Sequence, residues 1–233
     1  MADGNYVFQA SGDDGNVAYF LAGVFTVSKG AITGGEEDLI DFVQGGQASI
    51  QATGSSLTVA SDGNFQLVLT TNNPKFGVNG VETFRGALVS STHAEIAEFD
   101  DFAAAQGTLD LQTSTAAPSG GFAFNLGGID GSASPSRLFI GGVLTISATS
   151  INAGSSVFDY FDGGTVAQAV TFASGAVTAP DSFGRLTISL TPSQGGVEFS
   201  VIGYTVSANQ IQLVESPTDT LGGRSAVRRW AKA

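Results

Sequence analysis

Apolar and polar residues alternate with a period of two along most of this chain. Tyr6, Phe8 and Ala10 share one face of a run whose other face is Asn5, Val7 and Gln9. Phe65, Leu67 and Leu69 alternate with Gln66, Val68 and Thr70, and Leu186, Ile188 and Leu190 with Thr187, Ser189 and Thr191. That period puts successive side chains on opposite sides of a strand, one side for a core and one for water. β-Branched and aromatic residues fill the runs, as a pleated, half-buried surface favours. Between them fall turn formers: Gly12-Asp13-Asp14-Gly15-Asn16, Ser61-Asp62-Gly63-Asn64, Asn72-Asn73-Pro74, Asn79-Gly80 and Gly195-Gly196. The helix-friendly stretch Ala94 to Ala105 still alternates and reads as strand plus turn. Ser225 to Ala233 reads as a frayed helix or a last strand.

The pattern is also duplicated. Gly4–Phe8 resembles Gly120–Phe124, Leu21–Ser28 resembles Ile140–Ser147, and Asp41–Gly46 resembles Asp159–Gly164. Phe65–Thr70 resembles Leu186–Thr191, and Leu88–Glu98 resembles Thr205–Glu215. Such order points to an internal repeat. We expect residues 1–114 to form a first β-repeat, 115–119 a linker, 120–223 a second repeat, and 224–233 a basic C-terminal tail or last strand. Each half has room for seven or eight strands. The predicted class is all-β: two tandem antiparallel, up-and-down barrel-like (or sandwich) halves. Pairing of the strands near Tyr6 and Leu109 would close the first.

Composition narrows the chemistry. The 233 residues include no cysteine, so disulfides, thiolate catalysis and Cys-based zinc sites are excluded. His93 is the lone histidine; it has no Gly-x-Ser-x-Gly elbow beside it and reads as an exposed turn residue. No phosphate-cradling loop and no dinucleotide fingerprint occurs. No apolar run is long enough for a membrane helix. The net charge is −12, and four of the nine basic residues (Arg224, Arg228, Arg229, Lys232) lie in the last ten positions. All 21 acids precede them, so the body repels nucleic acid and anionic lipid.

The acids are the main candidates for a site. Glu36, Glu37, Asp38 and Asp41 supply hard oxygens of the kind Ca²⁺ prefers, without the spacing of an EF-hand loop, so a solvated acidic loop is the alternative. Glu98, Asp100 and Asp101 form a second cluster. Glu98 and Glu215 each end an apolar strand face: Glu98 shares it with Ala94 and Ile96, Glu215 with Ile211 and Leu213. Each is expected to reach solvent at the strand end, to pair with Arg85 or Arg185, or to line a cavity mouth. Phe42, Tyr160 and Phe161, beside Gly-Gly turns, are the aromatic candidates for ligand contact. Most of the 17 phenylalanines read as core. Trp230 is placed to anchor the tail.

Tyr6-Val7-Phe8, Leu21-Ala22-Gly23-Val24-Phe25, Ile32-Thr33-Gly34-Gly35 and Gly107-Thr108-Leu109-Asp110-Leu111-Gln112 carry a resemblance. The chain resembles uncharacterised tandem β-module proteins secreted by bacteria, of acidobacterial type. It does so clearly in the first half and loosely in the second. The resemblance implies an extracellular or cell-surface setting and supplies no catalytic residues. Met1-Ala2-Asp3 does not open a signal peptide, so any leader is expected to lie outside this sequence. The reading is a non-enzymatic extracellular module with a structural, adhesive or self-assembly role, pairing with itself or a surface partner through β-edges or the basic tail. The alternative is a small barrel that binds an apolar or carbohydrate-like ligand inside, and a carboxylate-based hydrolase is a third. No cofactor is expected, with Ca²⁺ as the one option.

Overall fold

The computed structural model describes residues 1–233 except 16, 42–44, 131–135, 148, 194–198, 217–222 and 233; for 130 and 223–232 it describes the backbone alone. The chain divides into two compact units, Met1–Gln112 and Thr113–Ala233.

Unit 1 has eight strands: β1 (Gly4–Asp13), β2 (Ala18–Ser28), β3 (Ala31–Ile40), β4 (Gly45–Val59), β5 (Asn64–Thr71), β6 (Val81–Leu88), β7 (His93–Phe99) and β8 (Ala104–Leu111). Each pairs antiparallel with the next, and β1 pairs back to β8, so the sheet is a closed barrel. Closure uses the strands anticipated for it: Tyr6 faces Leu111 and Phe8 faces Leu109. Local chemistry sets the hairpins. Lys29 and Gly30 both take positive φ (52° and 75°) in the two-residue turn that returns β2 to β3, where the strand twist demands that hand.

Alternation decides what fills the barrel. Tyr6 and Phe8 from β1, Tyr19, Leu21 and Phe25 from β2, Leu67 and Leu69 from β5, and Phe84 from β6 form one apolar core. Their rings run in contact from Tyr6 to Phe25 (5.8 Å), Phe25 to Phe8 (6.1 Å) and Phe8 to Phe84 (6.1 Å). Each such side chain, fully buried, stabilises the fold by about 1.5–3 kcal/mol.

Unit 2 repeats the plan. Its strands are β9 (Gly120–Asp130), β10 (Arg137–Ser147), β11 (Ser150–Ile151), β12 (Val157–Asp162), β13 (Thr165–Val177), β14 (Arg185–Pro192), β15 (Phe199–Ser207), β16 (Gln210–Glu215) and β17 (Gly223–Lys232), with a 3-10 turn at Ala153–Ser155. Apart from the two-residue β11, the antiparallel order is again sequential, and β9 pairs with both β10 and β17. The duplicated sequence blocks therefore match duplicated strands: β1 with β9, β2 with β10, β5 with β14. The basic end of the chain is the last strand, β17. Phe122, Phe158, Phe172 and Phe199 lead a second apolar core.

An up-and-down barrel sorts its connections by end. In unit 1 the β2–β3, β4–β5 and β6–β7 turns lie at one end with both termini. The β1–β2, β3–β4, β5–β6 and β7–β8 loops lie at the other, which we call the mouth. The long one is the β5–β6 loop, residues 72–80. Its Phe76 folds in and is wholly buried.

Candidate functional site: a buried carboxyl cluster

The acidic run of β3 does not act as one group. The pleat turns Glu37 to the same side as Leu39, a core residue, and sends Glu36 and Asp38 to the other face. Glu36 accepts a hydrogen bond from Gln47 Nε2 (2.9 Å). Asp41, just past the strand, is buried too. Among the described residues no group of three or more His, Cys, Asp or Glu is arranged to hold a metal ion.

Inside the barrel Glu37 meets acids from two other strands. Glu82 shares its face of β6 with Phe84, and Glu98 shares its face of β7 with Ile96 and Ala94. Glu37 and Glu82 are 0% exposed and Glu98 is 1%. Tyr19, near the start of β2, is wholly buried and donates its hydroxyl to Glu82 Oε1 at 3.0 Å. Its ring packs edge-on to Phe102 of the β7–β8 loop (5.8 Å). The four groups sit in the mouth half of the barrel, where Phe102 packs on Tyr19.

Burial sets their protonation. Loss of water pushes Glu37 up to about 8, with the Glu98 and Asp38 charges adding to the rise and the hydrogen bond to Glu82 opposing it. Burial, then the charges of Glu82 and Asp100, push Glu98 up to about 10, with the nearby Tyr19 hydroxyl, which is committed to Glu82, as the smallest and opposing influence. Glu82 rises well above the usual carboxyl range for the same first reason, with Glu37 next. The Tyr19 hydroxyl is likewise raised, by burial and then by the Glu82, Glu98 and Glu37 charges.

Donor counting makes the same point without any titration. As carboxylates, both oxygens of Glu37, both of Glu98 and Oε2 of Glu82 lack a hydrogen-bond donor. The Glu37–Glu82 contact is a hydrogen bond only when one of the pair carries a proton. Tyr19 has one hydroxyl proton and spends it on Glu82. A buried anion without a donor is costly, so the cluster is held as carboxylic acids.

Several expectations change. Glu98 and Glu215 do not reach solvent, because the faces they end turn inward; Glu215 is 4% exposed, inside unit 2. Neither arginine shares those faces. Arg85 is exposed and lines a shallow outer groove with Thr58, Asn64 and Gln66, while Arg185 lies opposite the inward Leu186 and Ile188. Asp100 is a turn cap: it accepts from the backbone N–H groups of Phe102 (2.8 Å), Ala103 (3.1 Å) and Thr83 (3.2 Å). Tyr160 is half-buried and stacks on Phe158 (6.2 Å), whereas Phe161 faces outward. Phe42 lies outside the described residues, as does the Trp230 side chain.

His93 is not an exposed turn residue. It opens β7 directly opposite Asp110 in the β7–β8 register. Its Nδ1 hydrogen-bonds Asp110 Oδ1 at 2.8 Å, and its Nε2 lies 3.4 Å from Glu95 Oε1. This is the end of the barrel away from the mouth. His93→Ala removes that bond to a buried carboxylate and is expected to cost about 1–3 kcal/mol in urea unfolding, with the fold retained.

Tyr19 and Glu82 went unmarked in the sequence. The parity of Glu82 with Phe84 was a usable signal; that of Tyr19 with Leu21 and Phe25 marked it as core only.

No protein-family model matches the chain, and no curated protein matches it. Among solved structures it is similar to a protein of unknown function from the DUF3598 family of Nostoc punctiforme: 11% identity, a TM-score of 0.23, and 99% of this chain against 96% of that one.

Proposed function

We propose that unit 1 is a non-enzymatic binding module that holds one small molecule at the barrel mouth. The observation that carries this is the convergence of Tyr19, Glu37, Glu82 and Glu98, from four different strands, with carboxyl oxygens that have no donor. A chain under no other demand would fill that position with leucine, since apolar packing avoids the desolvation cost. Barrels of eight strands are wide enough to hold one small ligand, and barrel mouths are common binding sites. Phe76 and Phe102, at the same end of the barrel, are carried by the β5–β6 and β7–β8 loops. The test is an NMR titration of the full chain with panels of small amines, alcohols and sugars. Saturable shifts at Leu39, Phe84 and Ala105 are expected. Shifts confined to outward residues, or none with any panel, would overturn the proposal.

An adhesive or self-assembling extracellular module is the second reading. It is favoured by an outward ladder on unit 2, where Phe139 faces Phe161 and Phe161 faces Val166, all exposed. Strand edges no longer support it in unit 1, because closure leaves no free edge there.

A further inference from the structure

We infer that the ligand of the unit 1 barrel carries a cationic nitrogen, a primary ammonium, which Glu98 and its neighbours Glu37, Glu82 and Tyr19 receive. This rests on the binding-module reading and adds the chemical class.

Tyr19, Glu82 and Glu37 form a connected set through the Tyr19–Glu82 hydrogen bond and the Glu37–Glu82 contact. Glu98 is a separate observation. It comes from another strand, is 1% exposed, and points its two oxygens into that set with no donor for either. The single Tyr19 proton cannot serve both Glu82 and Glu98. The set thus has a surplus of acceptors and one native donor that is not itself an acid.

Among the described residues of unit 1 no cation makes up the deficit. The basic residues of the described part of unit 1 are Lys29, Lys75 and Arg85, all exposed, and His93 lies at the far end with Asp110. The leading charges acting on the cluster are acids: Glu37 and Asp38 from β3, Glu82 from β6, Glu98 from β7 and Asp100 from the mouth loop, beside the Tyr19 phenol from β2. Phe8 on β1, Leu69 on β5 and Ala105 on β8 are inward apolar neighbours, and Thr71, which ends the same face of β5, donates its hydroxyl to the Asn73 carbonyl.

An ammonium group fits this deficit. It brings three N–H donors and one positive charge, enough for one oxygen each from Glu37, Glu82 and Glu98. The Tyr19 and Phe102 rings, packed edge-on to each other, lie beside the cluster, and Phe84 and Leu39 share the inward faces of Glu82 and Glu37 and offer apolar surface to the organic part. A neutral alcohol brings a single donor and no charge. A bare metal ion is the rival occupant that the experiment below distinguishes. On binding, an acid of the cluster gives its proton to solvent and keeps the negative charge opposite the ammonium. Uptake of the cation is therefore coupled to proton release, and affinity rises with pH until the amine itself loses its proton.

Isothermal titration calorimetry of the full chain with benzylamine, benzyl alcohol and calcium chloride tests this. Benzylamine is expected to bind at least about tenfold more tightly than benzyl alcohol at pH 7.5. Repeating the titration in buffers of different ionisation heat should show release of about one proton per amine bound. Glu98→Gln, with Glu82→Gln as a second variant in case the first fails to fold, should lose most of the preference for the amine while still binding the alcohol. Equal binding of amine and alcohol would overturn the charge inference and leave the binding module standing. Saturable binding of calcium alone, without the amine, would replace ammonium with a metal and overturn it as well. Failure of both organic probes to bind would remove the binding module and this inference together.

Discussion

Raising the pH from 5 to 8 is expected to lower the melting temperature of unit 1 by at least about 10 °C, and Glu98→Gln to remove a large part of that loss. The unfolded chain releases a glutamate proton near 4.5, whereas the folded chain holds those of Glu37 to about 8 and Glu98 to about 10. Between those limits the folded state binds more protons than the unfolded state. Stability is therefore whole below about pH 4.5 and falls as pH rises toward the folded values, at about 1.4 kcal/mol per pH unit for each such group. Over three pH units one group alone accounts for about 4 kcal/mol, a large share of the 5–15 kcal/mol typical of a domain. This is opposite to an acid held by an arginine, which stabilises most at neutral pH. Glutamine at 98 keeps the shape and has no proton to release, so the slope should ease by about 1.4 kcal/mol per pH unit. Circular dichroism melts of both proteins across this range check the prediction. A melting temperature independent of pH from 5 to 8 would mean that the cluster is already ionised and otherwise neutralised.

The second large effect lies at the seam that closes the barrel. Gly107→Ala is expected to destabilise unit 1 by at least about 3 kcal/mol. Gly107 faces Ala10 where β8 meets β1. A Cβ there would overlap the Gln9 carbonyl oxygen and lie 2.7 Å from Ala10 Cα. Two residues along the same seam, a Cβ at Gly12 would overlap the Ala104 carbonyl oxygen. Both obstacles are backbone, so no side-chain rotation relieves them and the ladder must part. Gly46→Ala is the control: it sits in β4 with open space around it and should change stability by no more than about 0.5 kcal/mol. Urea unfolding of the three proteins separates the cases. Equal midpoints for Gly107→Ala and Gly46→Ala would show that the seam tolerates side chains and that closure does not depend on the close approach.

These two effects come from different layers of the structure, one polar and one steric, and they meet in function. The seam fixes the circumference of the barrel. Circumference in turn decides how near β3, β6 and β7 bring their acids across the interior. A variant that opens the seam should therefore also weaken the pH dependence, because water would reach the cluster.

The amino-acid sequence determined the strands, their order and their duplication. Period-two alternation fixes which residues share a face, and short hairpins fix which strands are neighbours; both are local and can be read without coordinates. It also placed Glu98 with Ala94 and Ile96, and Glu215 with Ile211 and Leu213. Only the tertiary structure decided what those faces meet. Parity does not say whether a face turns into the barrel or out of it, so a strand-end glutamate and a buried one read alike. Nor does it say that Tyr19 and Glu82, 63 positions apart, share a hydrogen bond. That contact depends on the tilt and stagger of strands in a closed ring, a property of the whole sheet. The pleat divides the acids of β3 between two faces, and closure brought Glu37, on the inward one, to the cluster.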